Sequence, residues 1–117
     1  MMPLEVVLLA PKVMELAEER DFAELLNPPL LARESNNGGT ITFSELDETP
    51  VLTLARPKRI EVLSDVRRVL GPATPVPDDS RYWIEGVLSF DFARGLAVLF
   101  ALEKALGGTA VVRGVEL

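Results

Sequence analysis

The stretch that decides the fold runs Tyr82-Trp83-Ile84-Glu85-Gly86-Val87-Leu88-Ser89-Phe90, Asp91, Phe92 to Leu106, Gly107-Gly108, and Thr109-Ala110-Val111-Val112-Arg113. Its opening residues alternate. A strand here puts Tyr82, Ile84, Leu88 and Phe90 on one face and Trp83, Glu85, Val87 and Ser89 on the other. Asp91 stands where a helix N-cap is wanted, and Phe92 to Leu106 continues without a breaker to Gly107-Gly108, the expected left-handed terminator. A strand over 109–113 follows at once, so the helix must fold back across the sheet. Its only charged residues are Arg94, Glu103 and Lys104. A helix that is apolar over most of its circumference is buried on more than one side, either as a central core helix or with part of its surface against a second chain.

Working back from this unit, Leu4 to Leu9 is a continuous apolar run between Pro3 and Pro11, the pattern of a strand covered on both faces. Pro11 then suits a first helical turn. Helix formers continue over 12–20, and Asp21 with Glu24 three residues on predicts a second short helix restarting at Asp21, stopped by Asn27-Pro28-Pro29. Asn36-Asn37-Gly38-Gly39 tolerates positive φ and marks a hairpin or irregular turn before a strand at Thr40–Phe43. Val51–Ala55 is the next strand, joined to the last by the acidic loop 45–49. Pro57 predicts the start of a helix reaching Leu70, with Gly71-Pro72 as its stop and a proline-rich connection up to Ser80. The expected fold class is α+β: one domain over 1–117, with a single mixed or mainly antiparallel sheet of about five strands and helices packed mainly on one face, in the order β-α-β-β-α-β-α-β.

The 117 residues contain neither cysteine nor histidine. That removes thiolate and imidazole nucleophiles, Ser-His-Asp triads, zinc-finger spacings and haem or iron–sulfur ligation through those residues. No phosphate-cradling glycine motif and no nucleophile elbow occurs. The loop carboxylates Glu45, Asp47, Glu48 and Asp78, Asp79 do not follow the EF-hand spacing, so neither a catalytic residue nor a metal or organic cofactor is expected. The opening apolar run lacks a basic flank and is interrupted by Glu5 and Pro11. The run from Gly95 to Leu102 is far shorter than a bilayer requires. A cytoplasmic protein without a membrane contact is the expectation.

The net charge is -6, and residues 1–57 carry all of it: four basic side chains (Lys12, Arg20, Arg33, Arg56) against ten acidic ones, while 58–117 balance at eight of each. Nucleic acid is disfavoured as a partner by that field. Arg56, Lys58, Arg59, Arg67 and Arg68 are expected at the start and along the exposed side of one helix, a salt-bridging set without interleaved aromatics. Two candidate contact regions remain. Glu45, Asp47 and Glu48 lie on a loop between two strands, where their side chains are free to pair with a basic partner. Trp83 and Glu85 share a strand face on which an aromatic plate beside a carboxylate suits a cation, a partner's arginine or a small ligand; if the first helix covers that face, Trp83 is core instead.

The strand containing Tyr82-Trp83-Ile84-Glu85, followed by Phe92-Ala93-Arg94-Gly95-Leu96-Ala97 and Ala101-Leu102-Glu103-Lys104-Ala105-Leu106-Gly107-Gly108 before a last strand, resembles small bacterial immunity proteins that neutralise co-encoded toxins. The likeness spans Arg81 to Val112 and brings no binding residue with it. It implies a non-enzymatic protein that binds a toxin, often through an acidic face. The reading is therefore a protein-binding module of the immunity or inhibitor type with a basic partner. The alternatives are a small-ligand-binding or enzymatic domain using the Trp83/Glu85 face, and a homo-oligomeric structural protein, most simply a dimer through the Phe92–Leu106 helix.

Overall fold

A computed structural model describes residues 4–89 and 92–113. The elements in chain order are β1 (Leu4–Ala10), α1 (Leu16–Glu24), β2 (Leu31–Ser35), β3 (Thr40–Ser44), β4 (Pro50–Ala55), β5 (Lys58–Arg59), α2 (Leu63–Leu70), β6 (Tyr82–Leu88), α3 (Phe92–Leu106) and β7 (Thr109–Arg113). The class is α+β, with one antiparallel sheet in the order β2-β3-β4-β6-β1-β7 and β5 added beside β6. Seven strands replace the expected five. The two extra ones are β2, the first arm of the hairpin whose turn carries Asn36, Asn37 and Gly38 at positive φ, and the two-residue β5.

The deciding stretch forms as its pattern dictates. β6 and β7 both pair antiparallel with β1, which lies between them, so β6-α3-β7 is a strand-helix-strand unit with a third strand inserted. The expected N-cap Asp91 and the expected strand residue Phe90 lie outside the described residues. At the far end of α3, Gly107 takes φ 66° and the Gly108 N–H donates to the Glu103 carbonyl at 2.8 Å.

Two expected helices start elsewhere. The first is one helix from Leu16, not two pieces meeting at Asp21: the Glu18 carboxylate accepts the Glu15 N–H at 3.1 Å, and the helix starts five residues after Pro11. The helix expected from Pro57 starts at Leu63. Before it, Lys58 and Arg59 pair with Trp83 and Tyr82, and the Ile60 N–H donates to the Arg81 carbonyl at 2.8 Å, so these backbone groups are satisfied by the sheet. The basic set is therefore divided between β4's end, β5 and α2.

Alternation along β1 assigns the two sides of the sheet. Val6, Leu8 and Ala10 point to a large core shared with Phe43, Leu52, Ile84 and Leu88, which α1 and α3 cover; Val7 and Leu9 point to a smaller core with Trp83, Val111 and Val66 of α2. Two helices thus lie on one face and one on the other. Burial of side chains such as Leu8, Leu52 and Leu99, all fully inaccessible, stabilises the fold by about 1.5–3 kcal/mol each. The mostly apolar α3 buries Gly95, Val98, Leu99, Leu102 and Leu106 inward. Its outward stripe carries Ala93, Ala97, Phe100 and Lys104, so Phe100, half exposed, is the large apolar side chain it presents to solvent. No described helix is long and apolar enough to cross a membrane.

Candidate functional site

The acidic loop is a tight β3–β4 connection in which the Glu45 N–H donates to the Thr49 carbonyl and the Glu48 N–H to the Glu45 carbonyl, each at 2.8 Å. Its acids are not equally available. Glu48 pairs with Arg33 of β2, and Glu45 lies 3.6 Å from Nε of Arg94 at the start of α3, which also donates a hydrogen bond to the Pro28 carbonyl. Asp47 accepts the Thr49 N–H at 3.0 Å, and hydrogen bonds with Thr49 hold its carboxyl below the usual aspartate value. Two of the three charges therefore sit beside arginines.

Trp83 and Glu85 share a face, and the Trp83 indole N–H donates to Glu85 Oε1 at 3.0 Å; Lys58 Nζ stands 4.0 Å from the same carboxylate. The helix over Trp83 is α2, not the first helix, because Trp83 is on the Val7 and Leu9 side of the sheet. The indole is partly buried core with its polar edge outward. These two residues and the acidic turn are not brought together. Gly86, next to Glu85, pairs with Leu54 in the β4–β6 register, roughly 13 Å of strand from the turn that ends at Pro50.

A third region was not singled out by sequence reasoning. α1 packs against edge strand β2, and with its N-cap Glu15 it brings Glu18, Glu19, Asp21 and Glu24 to the side of the molecule that holds Glu34. None of these six enters an ion pair within 4 Å among the described residues. The signal was present as five acids in ten residues, but a helix of Glu, Asp and Arg reads equally as ordinary solvated surface. Beside the start of α1 lies a cavity of ≈ 330 Å³, floored by Met14, Leu16, Ile41 and Ile84 and edged by Glu19, Glu34 and Arg56.

The Glu19 carboxyl is raised from 4.5 to about 7, first by desolvation and then by repulsion from Glu34 and Glu18. A carboxyl that holds its proton more tightly in the folded chain adds stability that is fully present below pH 4.5 and lost as the pH rises through about 7. Glu19→Gln is accordingly expected to flatten the fall in urea midpoint between pH 4.5 and about pH 7. An unchanged fall in the variant would show that repulsion and burial at Glu19 do not set it. Asp47 acts in the opposite sense, its contribution being lost as the pH falls below 3.8, outside that window.

Among the described residues no group of three or more His, Cys, Asp or Glu is arranged to hold a metal ion. No protein-family model, no curated protein and no solved structure matches the chain.

Proposed function

We propose that this chain is a non-enzymatic protein-binding module of the immunity or inhibitor type, acting in the cytoplasm and meeting a basic partner through its acidic side. The observation that carries this reading is the placement of charge. α1, edge strand β2 and the β3–β4 turn lie along one end of the sheet, and together they hold nine of the ten acidic residues of the first half, the exception being Glu5 in β1. A partner approaching this side meets the field of the whole net charge, which raises association rates without requiring an exact fit. Glu45, Asp47 and Glu48 contribute at the end of the side, with Asp47 the member that forms no ion pair within 4 Å among the described residues. Trp83 and Glu85, on the half-covered second face, are a separate contact set for the same kind of partner.

A homodimer through α3 is the weaker reading, since Phe100 stands among small residues and Lys104 on its outward stripe. The experiment that tests the main reading is co-expression of the chain with the product of each adjacent gene, reading growth and co-purification. Protection from a toxic neighbour with formation of a complex supports it. A toxic neighbour that is neither bound nor neutralised, or the absence of any toxic neighbour, counts against it.

A further inference from the structure

The cavity beside α1 combines size, an apolar floor and a charged mouth. At ≈ 330 Å³ it is about twice the engineered cavities of about 150 Å³ that hold benzene, and it lies in the range of ordinary small-ligand sites. Its floor of Met14, Leu16, Ile41 and Ile84 offers an apolar chain no polar partner. Its mouth has Glu15 and Glu19 from α1 and Glu34 from β2, with Glu18 behind them, against one cation, Arg56, whose guanidinium already donates to the Asn37 carbonyl at 3.3 Å. The mouth is therefore net negative.

We propose that this cavity binds an unbranched alkylammonium ligand, with the alkyl chain on the apolar floor and the ammonium between Glu19 and Glu34. Charge complementarity selects the cation: it relieves the repulsion between these two carboxylates, whereas a carboxylate amphiphile would add a third negative charge at the same place. Burying the chain removes apolar surface from water at both partners. Because Glu19, which faces Glu15, Glu18, Glu34 and Arg56, gives up its proton on the way, affinity for the cation rises with pH as Glu19 ionises. This assignment does not depend on the protein-partner reading.

The test is titration of the full chain with n-octylammonium, n-octanol and n-octanoate, followed by calorimetry or amide chemical shifts. Octylammonium is expected to saturate, to bind more tightly than octanol, and to gain affinity between about pH 5.5 and pH 8. Glu19→Gln and Glu34→Gln should each weaken it about fivefold, the size of a partly screened charge pair, and should leave octanol binding unchanged. That second reading separates lost charge from lost folding. Octanoate binding as tightly as octylammonium, octylammonium no better than octanol, or no saturable binding would each overturn the assignment. Tighter binding of an Nα-blocked lysine amide would assign the cavity to a partner's side chain and overturn it as well.

Discussion

Replacing Phe43 by alanine is expected to lower the stability of the domain by about 4 kcal/mol, within the range of buried phenylalanine truncations. The side chain is fully inaccessible on β3, and its ring meets Phe22 of α1 edge-on, with centroids 6.0 Å apart and planes at 78°. It thus joins the sheet to α1 at the centre of the larger core. Truncation removes the transfer free energy of the ring, leaves a cavity that β3 and β4 cannot close, and forfeits the aromatic pair, itself worth about 0.5–1.5 kcal/mol. Since small domains are stable by only about 5–15 kcal/mol, a large part of the total is removed. Phe100→Ala serves as the contrast. That ring is half exposed on α3, and its loss should move the urea midpoint by the equivalent of about 0.5 kcal/mol or less. Equal losses in the two variants would mean that the core is not centred where Phe22, Phe43 and Leu52 meet.

Gly108→Ala is expected to be almost as damaging, although it adds only one methyl group. A Cβ at this position would stand 2.4 Å from the Leu9 carbonyl oxygen and 3.2 Å from Ala10 Cβ. Neither can give way cheaply. Leu9 and Ala10 are the end of β1, paired with Trp83 and Tyr82 on one side, while Leu9 pairs with Thr109 on the other. The strain is relieved only by pulling β7 off β1 or by breaking the helix end that Gly107 and Gly108 form. Overpacking of this kind costs about 3 kcal/mol, which corresponds to a fall in Tm of roughly 10 °C. Gly107→Asn, at φ 66° with open space around its Cβ position, should be tolerated far better, because asparagine accepts the left-handed region. A variant at Gly108 that melts like the wild type would contradict the close packing of the α3–β7 corner.

How far the fold was legible depended on how local its cause is. β1, α3 and β7 were readable because each is set by its own pattern: an apolar run between prolines, an apolar stretch ended by Gly107-Gly108, and a β-branched tail. The hairpin turn at 36–39 was readable for the same reason, since Asn and Gly accept positive φ. β5 was not, because Lys58 and Arg59 are extended only by pairing with β6, a contact with residues more than twenty positions away. Likewise α1 starts where Glu18 meets the Glu15 N–H, an arrangement that the earlier proline at residue 11 obscured. For the candidate site, the acidity of the first half was legible as arithmetic, but its location was not. The loop acids attracted attention by their position, yet Arg33 and Arg94 reach two of them from β2 and α3. The acids of α1 become a single surface with Glu34 only once the helix lies along the edge strand, which no local spacing reveals.

The most direct test of the claim that the α1 and β2 side receives a basic partner is the salt dependence of association with a toxic neighbour that the chain neutralises. The rate is measured by stopped flow for the wild type, for Glu15→Gln with Glu18→Gln and Glu24→Gln, and for Glu45→Ala with Asp47→Ala and Glu48→Ala. At low ionic strength the α1 variant is expected to associate about tenfold more slowly than the wild type, with a flatter salt dependence, and the loop variant to fall between the two. Wild-type rates in both variants at every salt concentration would contradict the acidic-side account and move the contact to the Trp83 and Glu85 face.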